Sequence, residues 1–206
     1  MKYIIMCGGW ACNCEKPKHL FQYKDKTIVE RTIDLLHECG VNDIAITTSP
    51  NRVDNYNKFG VEVIPYESNN IPFVWLDAFY LMEEPVCYMF GDVVYSTYAV
   101  KTIVETETDS IEFFASAPPF ARNYPKHHAE PFAFKVVDNK KFRECVLKTK
   151  ECKKYNVWRR EPISWELWQI IKDTRPNNIV YDNYTVINDY TCDVDSEWEL
   201  NQWNNI

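Results

Sequence analysis

No apolar run in this chain approaches the ~20 residues needed to cross a bilayer, so no membrane insertion is expected. The N-terminus lacks the basic, apolar and small-residue segments of a signal peptide, and a cytoplasmic location is the expectation. Basic charge is not in excess: 23 Lys and Arg face 30 Asp and Glu, a net charge of -7. Non-specific nucleic-acid binding needs a basic face, so no nucleic-acid partner is expected. The eight cysteines form no CxxC pair. Cys12-Asn13-Cys14 has the wrong spacing, and no second cluster completes a zinc or redox site. Reduced thiols fit this usage better than disulfides. Cys7, Cys39 and Cys87 lie in apolar contexts and read as packing residues. Repeats, low-complexity tracts and linkers are absent as well. The 206 residues therefore read as a single domain, 1–206, long enough for a substantial core.

What is present begins with the first twenty residues. Tyr3 to Cys7 is an apolar run that predicts a buried strand, and it stops at Gly8-Gly9. Glycines after a first strand let the backbone turn sharply, so that its N–H groups face an anion. Lys16-Pro17-Lys18 then brings positive charge to the same place, as a site for nucleotide phosphates requires.

Strand and helix patterns alternate through the first half. Thr27 to Cys39 has helical spacing, with Thr27 and Glu30 as a capping box and Gly40 where a left-handed residue follows a helix. Asp43–Thr48 predicts a strand, 51–59 a short helix, 61–64 a strand and 71–82 a mostly apolar helix. The continuous apolar run 85–90 predicts a central parallel strand, ended by Gly91-Asp92. A helix over 97–105 and a strand over 111–117 follow. This βαβαβ succession predicts an α/β fold with a mostly parallel, mixed central sheet flanked by helices on both faces. Ligands of such sheets sit beyond the carboxyl ends of the strands. Gly8-Gly9 and Gly91-Asp92 both lie there.

The second half is less regular. A polar loop, 118–131, precedes a strand over 132–137 and a basic helix over 140–148. Further helices are expected over 163–171 and 196–203, with one or two strands in 178–187. Residues 1–117 form a nucleotide-binding half, and 118–206 an acceptor or lid half.

Three motifs in this order carry a resemblance. They are IIMCGGWACNCEKPKHL, FGDVV and CDVDSEWEL. The first resembles the "ILAGGxGxRxxxxPKxL" opening of the sugar-phosphate and phosphocholine nucleotidylyltransferases, which have a GT-A-like Rossmann fold. VERTIDLLHECGVNDIAITTS resembles that superfamily's first helix and second strand. FGDVV resembles its metal-binding "GD", and CDVDSEWEL its late "DxDTxEDL". The resemblance implies a metal-dependent transfer of NMP from an NTP, CTP or UTP favoured, to a small phosphorylated acceptor, with pyrophosphate released. It implies nucleotide contacts from Cys7, Gly8, Gly9, Asn13, Lys16 and Lys18, and Mg²⁺ held by Asp92 and Asp195. Lys18, Asp92 and Asp195 are the catalytic candidates. The chemistry asks for these residue types: charge neutralisation and alignment matter more than a covalent nucleophile, and Mg²⁺ takes one or two carboxylates plus phosphate oxygens. The resemblance also places an acidic acceptor-recognising residue near Glu130. Ala11 and Asn13 replace the superfamily's second loop glycine and its arginine.

Other readings stand beside these. Asp92 or Asp195 could cap the helix that follows it, with Asp193 as a fallback ligand. His127-His128 reads as a solvated loop. Trp165 and Trp168 share a helix face. With Trp158 they are either core or dimer packing, which leaves a homodimer open, or an aromatic wall around a cationic acceptor. The flanking Lys153, Lys154, Arg159 and Arg160 are either solvated or bind the acceptor's phosphate. Two functional alternatives remain: a GT-A glycosyltransferase using a nucleotide sugar, with Asp193-Val194-Asp195 as its metal motif, and a nucleotide-binding protein without turnover, motivated by Ala11 and Asn13.

Overall fold

The computed structural model describes residues 1–8, 16–67, 75–116, 129–158 and 162–203, the side chains of 202 and 203 aside. Its strands are β1 (Lys2–Met6), β2 (Gln22–Tyr23), β3 (Lys26–Thr27), β4 (Ile44–Thr48), β5 (Glu62–Pro65), β6 (Val86–Phe90), β7 (Val93–Val94), β8 (Ile111–Ala115), β9 (Pro131–Val136), β10 (Thr185–Val186) and β11 (Cys192–Asp193). Its helices are α1 (Ile28–Glu38), α2 (Thr97–Glu105), α3 (Asn139–Lys154), α4 (Ser164–Ile171) and α5 (Glu197–Trp203). A seven-stranded sheet runs in the order β10-β8-β9-β6-β1-β4-β5. Pairing is parallel except around β9, which runs antiparallel to β6 and β8. The fold is the mostly parallel mixed α/β sheet that the strand–helix alternation predicts.

Successive residues of a strand face opposite sides of the sheet. In β4 and β6 all five residues are buried, so both faces of the sheet are covered at its centre. The same burial explains why these strands are continuous apolar runs rather than alternating ones. Aromatic rings fill much of the core beyond β6: Tyr88 stacks on Phe142 at 5.6 Å and Phe113 on Phe134 at 4.5 Å. No described helix is long and apolar enough to cross a membrane.

Several elements differ from expectation. Residues 51–59 form two 3-10 turns, Pro50–Asn55 and Asn57–Phe59, instead of one α-helix. Gly60, at φ 72°, ends them in the left-handed region that favours glycine. The helix expected over 71–82 is not formed: Trp75–Ala78 is a 3-10 turn, 79–82 is irregular, and 71–74 lie outside the described residues. Here Leu76 and Phe79 are buried without a helical ladder, since apolar content records burial and not backbone type. The basic helix is longer than expected, and 178–187 yields only β10.

The local signals of α1 hold in detail. Thr27 Oγ1 accepts from the Glu30 N–H at 3.3 Å, and the Glu30 carboxylate accepts from the Thr27 N–H at 3.4 Å. Gly40 sits at φ 79° just past the end. Replacing Thr27 by Ala is expected to cost about 1 kcal/mol of stability, read from the urea unfolding midpoint. An unchanged midpoint would show that tertiary packing, not the cap, sets the start of α1.

Candidate active site

Gly8 and Gly91 lie at the carboxyl edge of the sheet, because β1 and β6 are adjacent and parallel with Met6 opposite Phe90. Their backbones meet there: the Gly91 N–H donates to the Met6 carbonyl at 3.1 Å. A Cβ on Gly91 would lie 2.6 Å from that oxygen and 2.7 Å from Cys7 Sγ, so close approach requires glycine at this position. Asp92 is therefore held directly after a close approach of two strand ends.

Asp195 reaches the same place from the far end of the sequence. Beyond Asp92 the chain forms β7, which pairs antiparallel with β11. The Val194 N–H then donates to the Asp92 carbonyl at 2.8 Å. A second clip fixes the approach: the Ser96 hydroxyl donates to the Asp189 carboxylate, and the Ser96 N–H donates to Thr191 Oγ1 at 3.0 Å. Neither aspartate is spent as a helix cap. Ser96 caps α2 through the Ala99 N–H, and the Ser196 hydroxyl accepts from the Glu199 N–H at the start of α5.

Lys18 joins them. It opens a 3-10 turn, Lys18–Leu20, that follows Pro17. Its ammonium lies 2.5 Å from Asp92 Oδ2 and 3.2 Å from Asp195 Oδ1. Burial alone would lower the lysine pKa. The carboxylates of Asp92 and then Asp195 outweigh it and hold the pKa above the ordinary lysine range. The three catalytic candidates are thus brought together, and Asp195 rather than Asp193 meets the lysine.

The remaining candidates separate. Cys7 is fully buried, its N–H given to Thr47 O at 2.8 Å and its carbonyl accepting from Thr48 Oγ1 at 3.2 Å. Gly8 is half-buried under Tyr66, whose hydroxyl would lie 2.0 Å from a Cβ there. Lys16 is exposed. Gly9, Ala11, Asn13, His127, His128, Arg159 and Arg160 lie outside the described residues. Glu130 is buried beside β8, its N–H donated to Ser116 Oγ at 3.0 Å. β9 runs antiparallel, so its first residues, next to Glu130, share the end of the sheet that carries Asp92. Trp165 is a correction to the aromatic-wall expectation. It is 2% exposed, donates its indole N–H to Ala129 O at 2.9 Å, and meets Tyr181 and Phe113 edge-on at 4.7 and 4.9 Å. Trp158 and Trp168 are buried too, with indole donors satisfied by Pro176 O and Asp182 O. These rings are packing residues, as polar-tipped aromatics are when buried.

Sequence reasoning missed His19. It is 2% exposed, and its Nδ1 is 3.2 Å from the Tyr56 hydroxyl. Burial, with help from Lys18 and Arg52 and against the pull of Asp92, lowers its pKa to about 4. The available signal was a histidine directly after the lysine and directly before the apolar Leu20 and Phe21.

The donor set suits a hard divalent cation in one respect. Two carboxylates already converge on one cationic group, and Mg²⁺ is commonly bound by one or two carboxylates with the rest of its shell from water and phosphate. Among the described residues no cluster of three or more His, Cys, Asp or Glu side chains could cage a metal by itself.

The sheet, with a lysine and two aspartates gathered at its carboxyl edge, has the fold of solved nucleotidyltransferases. Residues 3–73 match the MobA-like NTP transferase domain. Solved structures align over nearly the whole chain. A 4-diphosphocytidyl-2C-methyl-D-erythritol synthase from Anaerococcus prevotii superposes with a TM-score of 0.60 at 12% identity, covering 99% of this chain and 96% of that one. The inositol-1-phosphate CTP transferase from T. maritima gives 0.58 at 14%, covering 98% and 95%. A Bacillus anthracis protein described as a glucose-1-phosphate thymidylyltransferase gives 0.60 at 16%, covering 99% and 94%. No curated protein matches the sequence. The family match spans the first of the three motifs. At such identities the superpositions establish the fold.

The buried imidazole makes stability depend on pH. In the unfolded chain His19 takes a proton near its ordinary 6.5, in the folded chain only near 4. Between these values the unfolded state binds more protons, so stability falls as the pH drops through that window. Relative to His19→Leu, the wild type should lose about 3 kcal/mol between pH 7 and pH 4, measured by urea unfolding. Parallel profiles would place the imidazole in water.

Proposed function

We propose that this protein is a metal-dependent nucleotidyltransferase that moves NMP from a nucleoside triphosphate, CTP or UTP favoured, to a small phosphorylated acceptor and releases pyrophosphate. The observation that carries this reading is the meeting of Lys18, Asp92 and Asp195 at the carboxyl edge of the sheet, beside the end of β1. The named neighbours, cytidylyl and thymidylyl transferases by description, support the choice of pyrimidine.

In this reaction an oxygen of the acceptor's phosphate attacks the α-phosphorus and pyrophosphate leaves in line. The acceptor phosphate is already ionised, so no general base is needed. What limits the rate is the approach of two anions, and preorganised positive charge and alignment lower that barrier. The turn at Gly8 and Gly9 would present backbone N–H groups to the nucleotide, with Asn13 and Lys16 beside it. Lys18 would supply a mobile point charge to the phosphates. Asp92 and Asp195 would hold Mg²⁺, which when bound neutralises phosphate oxygens and aligns the leaving group. The half of the chain after residue 117 would supply the acceptor side, with Glu130 at its edge.

The glycosyltransferase alternative needs Asp193 and Asp195 to act as a pair. The side chains that converge are instead Asp92 and Asp195.

Replacing Asp92 by Asn should lower pyrophosphate release by about a hundredfold or more, the scale of losing a preorganised charge at a reacting phosphate. Circular dichroism and the thermal midpoint should stay near wild type. Wild-type turnover in this variant would remove Asp92 from the metal role.

A further inference from the structure

We infer that His19 is a positioning residue, which holds Lys18 against Asp92 by locking the lysine's turn to both glycine-bearing strand ends. Its consequence for turnover rests on the transferase reading above; the geometry does not.

The imidazole bridges two pieces of backbone. On one side it continues the turn that begins with Lys18, whose Phe21 N–H closes back on the Lys18 carbonyl at 3.0 Å. On the other it packs on Gly91, where an added Cβ would lie 3.0 Å from His19 Cδ2. The next residue is Asp92. A single ring therefore separates the lysine's backbone from the carboxylate's backbone. It sets the distance that the lysine side chain must span.

A hydrogen bond fixes the orientation of that ring. Tyr56, fully buried, meets His19 Nδ1 through its hydroxyl at 3.2 Å. Cys7 Sγ packs on the same glycine as the imidazole, 2.7 Å from a Cβ added at Gly91. Thr48 Oγ1 in turn donates to the Cys7 carbonyl at 3.2 Å. His19 and Cys7 thus meet over Gly91, which ties the lysine's turn to the ends of β6 and β1, next to Gly8. An apolar side chain of the same size would fill this volume without the cost of burying a polar ring. What the polar ring adds is direction. A lysine side chain has four rotatable bonds and much entropy to lose, so a fixed backbone origin shortens the search that puts its ammonium on Asp92.

The test uses the reactivity of the Lys18 amine, which needs no nucleotide. Wild type, His19→Asn, His19→Gln and Tyr56→Phe are acetylated with an N-hydroxysuccinimide ester, and the rate at Lys18 is read by peptide mass spectrometry. Asn carries its amide near the position of Nδ1 and can keep the Tyr56 bond; Gln carries it near Nε2 and cannot. Tyr56→Phe keeps the core volume and serves as the second variant if a His19 substitution fails to fold. Labelling of Lys18 should rise about tenfold in His19→Gln and in Tyr56→Phe, as expected when one hydrogen bond is lost. In His19→Asn it should stay near wild type. Equal rates in wild type and Tyr56→Phe, or indistinguishable Asn and Gln variants, overturn the positioning role whatever the nucleotide assays show. A labelling pattern as expected, in a wild-type protein that binds no nucleoside triphosphate with Mg²⁺, overturns the transferase reading and leaves the lock intact.

Discussion

One ammonium group balanced between two carboxylates governs the architecture of the site. Lys18, with 17% of its side chain exposed, is too enclosed to leave uncompensated. Its partners come from a strand end in the middle of the chain and from a segment 177 residues away. A charge that is largely withdrawn from water must be paired. Everything that brings the partners in range follows from this: the glycine at 91, the short β7–β11 ladder, and the clip from Ser96 to Asp189 and Thr191. The same geometry explains why two helices begin on serines. Ser96 and Ser196 each accept from an N–H in the first turn of the helix that follows, while both aspartates pair with Lys18.

Much of this arrangement could be read from the sequence because its causes are local. A fully apolar five-residue run between Pro85 and Gly91-Asp92 is too short for a buried helix and fits a central strand, and β6 is that strand. Thr27 and Glu30 are three apart, so α1 announces its own start. The convergence of Lys18, Asp92 and Asp195 was legible through motif order and strand ends. The contact between them was not, since no local pattern encodes a pairing such as β7 with β11.

What escaped the sequence depends on tertiary context. The stretch after residue 70 is apolar enough for a helix, yet Leu76 and Phe79 bury themselves from a 3-10 turn and an irregular segment. Trp165 and Trp168 carry the helical spacing that an aromatic wall would also have; only the presence of Phe113, Tyr181 and Tyr184 around them decides for the core. His19 gave no signal by spacing. Its role arises from Tyr56, which two 3-10 turns bring back under the glycine strand in place of the expected α-helix.

The most direct test of the account is calorimetric titration of the wild-type protein with CTP, UTP, GTP and ATP, each with and without Mg²⁺. The account predicts binding of one triphosphate, a pyrimidine nucleotide, that depends on Mg²⁺ and is lost when Lys18 is replaced by Met. Binding that is indifferent to both Mg²⁺ and Lys18, or no binding of any triphosphate, would contradict it.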